Sequence, residues 1–223
     1  NPLIHDDRTI LDNAWLRDDA GPVSVLAHDF WFGSKHGGSD LYRPLTVLSL
    51  AWNLRLAPGR AGFHAVNLLL HAGTALLVAA ALREIRRVLG RRERMGPGAL
   101  PFAAWAGAAI WAVHPLPSEA VLLAVGRAEI LAAGFGLGAF LLLVKAEERD
   151  GLGGRRLAAS VAAFFLALLS KESAAAWVAL GAAWWLARRL AGAPPRGSVR
   201  GRAAAYSLAL GVFVACRGTV VGF

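Results

Sequence analysis

Two neighbouring carboxylates, Asp6 and Asp7, open the chain's inventory of reactive groups. Such a pair could supply a general base or hold a divalent metal, although acidic pairs in loops are commonly just solvated. Tyr42-Arg43-Pro44-Leu45 follows, where an arginine just before a proline-started helix could grip a phosphate or could serve as a cap or snorkelling cation. In the segment Phe63 to His71, His64, Asn67 and His71 recur at i, i+3 and i+7. That spacing puts them on one helical face, turned either to water or to hydrogen-bonding partners on other helices. His114-Pro115-Leu116-Pro117-Ser118-Glu119 offers a histidine and a carboxylate that could serve a metal, a base or an acceptor, or could form a capped turn. Its two prolines predict irregular backbone, with Glu119 at the start of the next helix and Arg127 and Glu129 beyond it. Lys171 and Glu172 sit in a charged turn between apolar runs, an ordinary hairpin device or a site for a lipid phosphate. Cys216 has no partner cysteine in the chain, so no intrachain disulfide is possible.

The elements that carry these residues are apolar. Hydrophobic residues make up 56% of the 223 residues and charged ones only 17%, against about 25% in a soluble domain. Mean hydropathy is +0.47. The expectation is an all-α polytopic membrane protein. Apolar runs at 63–82, 100–113, 128–144, 157–169, 173–186 and 203–215 give about six spans, some short or tilted, since ~20 residues cross ~30 Å of hydrocarbon. Residues 63–223 form the membrane domain. Residues 1–62 hold seven of the 15 acids and several glycines and prolines, and read as a solvent-facing first loop with short amphipathic helices, one of them from Pro44 to Leu56.

The charge of +9 has a topological explanation. Arg83, Arg86, Arg87, Arg91, Arg92 and Arg94 form one basic linker. Lys145, Arg149, Arg155 and Arg156 form a second, and Arg188, Arg189, Arg196, Arg200 and Arg202 a third. Each follows every second span, so all three face one side, which the positive-inside rule makes cytoplasmic. Nucleic acid is therefore not the expected partner. Residues 1–62, the 114–127 connection, Lys171-Glu172 and Arg217 then share the opposite side. No dinucleotide fingerprint, phosphate-binding loop, paired-cysteine zinc site or nucleophile elbow occurs. The first residue is not methionine and the last run has no polar tail, so both ends are expected to be cut. Abundant Ala, Gly and Arg hint at a bacterial source.

In order and spacing, Asp6-Asp7 with Asn13, Asp29-Phe30-Trp31, Tyr42-Arg43-Pro44-Leu45, Gly62-Phe63-His64 with Asn67 and His71, His114-Pro115 with Glu119-Ala120-Val121, Gly126-Arg127-Ala128-Glu129, and Lys171-Glu172 resemble one family. It is that of the transmembrane, tetratricopeptide-repeat-containing O-mannosyltransferases and their bacterial relatives, within the multi-span GT-C glycosyltransferase class. The resemblance covers nearly the whole chain, from Asp6 to Arg217. Where the family has a second histidine after the His-Pro pair, this chain has Pro117, and Ser118 stands for its threonine. The repeats and a first span before Asp6 are absent. The resemblance implies transfer of a sugar, mannose foremost, from a polyprenyl-phosphate carrier to an acceptor hydroxyl, with inversion, on the non-cytoplasmic face of a bacterial inner membrane. It implies Asp6 or Asp7 as base, Glu119 and His114 framing the acceptor or supporting the base, and Arg43, Arg127, Lys171 and Arg217 on the phosphate. His64, Asn67, Glu129 and Glu172 join the substrate site. A divalent metal is possible and no other cofactor is expected. The acceptor that the resemblance implies is a protein hydroxyl, with a lipid or glycan as the alternative. A lipid-linked-sugar transporter would instead place polar residues at the bilayer midplane, and a non-catalytic anchor need not keep these charges.

Overall fold

The computed structural model describes residues 5–34, 38–89, 99–149, 154–194 and 197–222. All regular elements among them are helical. In chain order these are α1 (His5–Leu11), α2 (Ala14–Asp18), a 3-10 turn (Ser24–Ala27), α3 (Pro44–Leu56), α4 (Arg60–Leu89), α5 (Ala99–Val113), α6 (Pro115–Leu122), α7 (Arg127–Arg149), α8 (Gly154–Ser170), a second 3-10 turn (Glu172–Ala176), α9 (Trp177–Leu190) and α10 (Val199–Val221).

Every apolar run of the sequence is at least partly helical. Three helices, Arg60–Leu89, Arg127–Glu148 and Val199–Val221, are long and apolar enough to cross a bilayer, and Phe102–Val113 is a shorter apolar helix. They leave large apolar side chains uncovered: Leu68, Leu69 and Leu76 on α4, and Leu208, Val212 and Val214 on α10. Lipid accommodates such surfaces and water does not. Arg91, Arg92, Arg94 and Arg196 of the basic linkers and the side chain of Ser118 lie outside the described residues.

Two local expectations are corrected. The segment after His114 is not irregular but a helix, α6, with Glu119 in its middle, and the next helix starts only at Arg127. Prolines in a first turn remove N–H groups that lack intrahelical partners anyway, so Pro115 and Pro117 start a helix instead of breaking one. The second difference is at 173–176, which form a 3-10 turn, so the following helix begins at Trp177. There the backbone is held from outside: Thr46 Oγ1 donates to the Ser170 carbonyl at 2.8 Å and Arg43 holds Glu172.

Helix α7 organises the bundle, packing on α4 and α8. Glu129 and Glu148 lie about 28 Å apart along it at ~1.5 Å per residue, close to a hydrocarbon thickness. At the far end Glu147 is fully buried and accepts four hydrogen bonds: from Trp184 Nε1 (3.0 Å), Trp185 Nε1 (2.5 Å), Arg188 Nη1 (3.1 Å) and Arg202 Nη1 (3.0 Å). Arg188 also reaches Glu148 at 2.9 Å, which faces Arg87 at 3.6 Å. Charges from α4, α9 and α10 thus converge on one end of α7, while Glu129, Lys171 and Arg43 gather at the other.

Candidate functional site

The near end of α7 opens into a cavity of about 740 Å³, within the size range of small-molecule sites. Arg43, Glu119, Glu129 and Lys171 line it, with Trp31, His71 and Trp111 among the aromatic walls. Three stretches far apart in sequence, around Arg43, Glu119 to Glu129, and Lys171, therefore deliver two cations and two carboxylates to one space.

The cations arrive already engaged. Arg43 makes a bidentate contact with Glu172, at 3.0 Å from Nε and 2.7 Å from Nη2, and its guanidinium lies over the Phe30 ring, 5.5 Å from the centroid. Burial alone would raise the Glu172 carboxyl, yet the Arg43 hydrogen bonds, its own backbone N–H and the charges of Arg43 and Lys171 hold it below the ordinary 4.5. Lys171 pairs with Glu129, whose side chain is half exposed to the cavity. The loop before Arg43 is shaped by Asp29, whose Oδ1 accepts from the Trp31 N–H (2.8 Å) and from the Ser39 N–H and hydroxyl (3.2 and 3.1 Å).

The polar stripe of α4 does its work on backbone. Asn67 donates to the Leu123 carbonyl at 2.7 Å and to Ala120 at 3.5 Å. His71 Nε2 donates to the Ala112 carbonyl at 3.0 Å, and His64 Nδ1 lies 3.4 Å from the Val121 carbonyl. The acceptors are carbonyls at the ends of α5 and α6, where the helix leaves them unpaired. The stripe thus fixes the α5–α6 segment that carries Trp111 and Glu119. His114 is exposed and caps α6, its Nδ1 accepting from the Leu116 N–H at 3.2 Å, and it does not line the cavity.

Arg127 occupies a different environment from the one the sequence suggests. It has zero exposure. Its guanidinium donates to Asn67 Oδ1 (2.8 Å), Asn53 Oδ1 (2.5 Å), the Ser49 carbonyl (3.1 Å) and the Phe63 carbonyl (3.4 Å), and lies 5.2 Å from the Phe63 ring centroid. The cavity is lined instead by its neighbours Gly126, Ala128 and Glu129. Arg127 is thus a brace tying α3, α4 and the start of α7 together. Asn53, which completes this brace, is not among the residues singled out from the sequence. A polar residue on an apolar helix was the only available hint.

Asp7 is buried and accepts from the Ala124 N–H at 2.8 Å, between the cavity-lining residues Leu123 and Val125. It pins α1 to the cavity floor. Asp6 precedes it on α1, and its side chain lies outside the described residues. Asn13 caps α2, accepting from the Leu16 N–H at 3.0 Å. Arg217 on α10 donates to the Asp40 carbonyl at 3.0 Å, away from the cavity lining. Among the described residues no cluster of three or more His, Cys, Asp or Glu is placed to hold a metal.

The chain is similar to proteins named protein O-mannosyl-transferases. It is 36% identical to TMTC4 of Homo sapiens over 153 residues, 65% of this chain and 20% of that protein. It is 36% identical to Tmtc3 of Drosophila melanogaster over 161 residues, 67% of this chain and 17% of the relative. With human TMTC1 it shares 32% over 172 residues, 74% of this chain and 18% of the relative. The chain thus spans about a fifth of the length of the curated relatives it matches. No family model matches it, and no solved structure does. The relatives carry the name of the family that the order of motifs pointed to.

Proposed function

We propose that the chain is the membrane part of a glycosyltransferase of the TMTC O-mannosyltransferase kind, within the GT-C class, in a bacterial inner membrane. It moves a sugar, mannose foremost, from a polyprenyl-phosphate carrier to a protein Ser or Thr hydroxyl. The names of the relatives support the transferase and the protein acceptor. The observation that carries the reading is the cavity in which Arg43 and Lys171 meet Glu119 and Glu129 at one end of the helix bundle.

The acceptor oxygen attacks the anomeric carbon on the side opposite the phosphate. The bond between that carbon and the phosphate oxygen breaks, and a single displacement inverts the centre. Negative charge grows on the leaving phosphate, and Lys171 and Arg43 stabilise it there because a fixed cation acts most where charge develops. The hydroxyl proton passes to a carboxylate of the acidic pair, Asp6 foremost, since Asp7 already accepts from the Ala124 N–H. Glu119 on the α6 wall orients the acceptor. The cavity end faces away from the cytoplasm, since the arginine-rich end of α7 carries the positive-inside signal.

Membranes containing the full-length gene product, given polyprenyl-phosphate mannose and a Ser/Thr peptide, should transfer sugar. The Asp6→Asn/Asp7→Asn double variant should insert normally and transfer none. Full activity in that variant would remove the acidic pair from the chemistry.

A further inference from the structure

Trp31 and Trp111 play no part in the mechanism above, yet both line the cavity. They differ from Trp52 and Trp105, which are 52% and 53% exposed and suit the aromatic belt at a membrane surface. Trp111 is half-buried and stacks on His71, with centroids 5.0 Å apart and planes 20° from parallel. His71 is itself fixed, because its Nε2 donates to the Ala112 carbonyl. Trp31 is also half-buried and sits edge-on to Phe30 at 4.8 Å, and its backbone N–H donates to Asp29. Both indoles therefore pack on a neighbouring ring before any ligand arrives.

We infer that Trp31 and Trp111 form a pyranose-binding subsite beside the phosphate-binding cations, and that His71 positions Trp111. A phosphate alone calls for cations and gains nothing from indoles. A pyranose has one face of polarised C–H bonds and a rim of hydroxyls. The C–H face suits the electron-rich face of an indole. Arg43 lies over Phe30, next to Trp31 in sequence. The Phe30 ring in turn meets the Trp31 ring at 4.8 Å, so a glycosyl phosphate whose anion meets Arg43 and Lys171 places its sugar against Trp31, with Trp111 on the wall formed by α5. The inference rests on the proposed transferase reading and adds the residues that distinguish a sugar-bearing carrier from a bare one.

The test is binding by the full-length protein in nanodiscs, with undecaprenyl-phosphate mannose and undecaprenyl phosphate as the two probes. Wild type should bind the mannosylated lipid more tightly. Trp111→Ala should reduce that preference by roughly two- to tenfold, leaving undecaprenyl phosphate affinity unchanged. Trp111→Phe should keep part of the preference, and Trp31→Ala should reproduce the loss should Trp111→Ala fail to fold. Lys171→Gln should weaken both probes alike. A preference surviving in Trp111→Ala and Trp31→Ala would overturn the subsite, as would an equal loss for both probes or equal affinities in wild type. The transfer assay on wild type decides the underlying reading separately, so the two failures remain distinguishable.

Discussion

Replacing Arg127 separates a phosphate ligand from a structural brace. The guanidinium has no exposure, and its four acceptors all belong to the protein. Arg127→Ala strands the side-chain oxygens of Asn67 and Asn53, which are themselves buried. An unsatisfied buried acceptor costs roughly 1–3 kcal/mol, so the pair costs roughly 2–6 kcal/mol before any cavity is counted. Arg127→Lys keeps the charge but not the planar fork, and recovers only part of that loss. Purified protein in detergent should show a large fall in melting temperature for the alanine variant and a smaller one for lysine. In the surviving fraction kcat should fall, because the brace holds the segment from Leu123 to Glu129 that floors the cavity, while donor KM changes little. An alanine variant that melts like wild type and has only a raised donor KM would refute the brace and return Arg127 to the phosphate.

Glu147→Gln breaks a carboxylate shared by two buried arginines and two indoles, and should destabilise by about 3–5 kcal/mol, read as a melting shift, with a double-mutant cycle against Arg202→Gln showing strong non-additivity. The Glu172 carboxyl has a folded pKa below its ordinary 4.5, so its pairing with Arg43 contributes above the unfolded value and is lost as pH falls through the folded one. The difference in melting temperature between wild type and Glu172→Gln should therefore hold near about pH 6 and shrink towards about pH 3, a modest effect because the pair is partly exposed.

The composition and the spacing of apolar runs determined the helical class and the positions of the long apolar helices, because apolar length and period are properties of local sequence. Pro44 at the first turn of α3 is such a case: proline's fixed φ and missing N–H define a helix start without any tertiary partner. The sequence also showed that the chemistry-bearing residues gather in a few connections between runs and in the helical turns next to them, since uncompensated charge is costly in hydrocarbon. Only the tertiary structure decided which of those residues share a space. Arg43 and Arg127 both precede or begin a helix, and nothing local distinguishes them. One faces the cavity beside Glu172, and the other is enclosed by Asn53, Asn67, Ser49 and Phe63. The same holds for the stripe of His64, Asn67 and His71: its period put it on one face, but its partners are carbonyls 41 to 57 residues away, and their location depends on how α5 and α6 pack. Pairings across such separations are set by how the helices cross, which no local window of sequence contains.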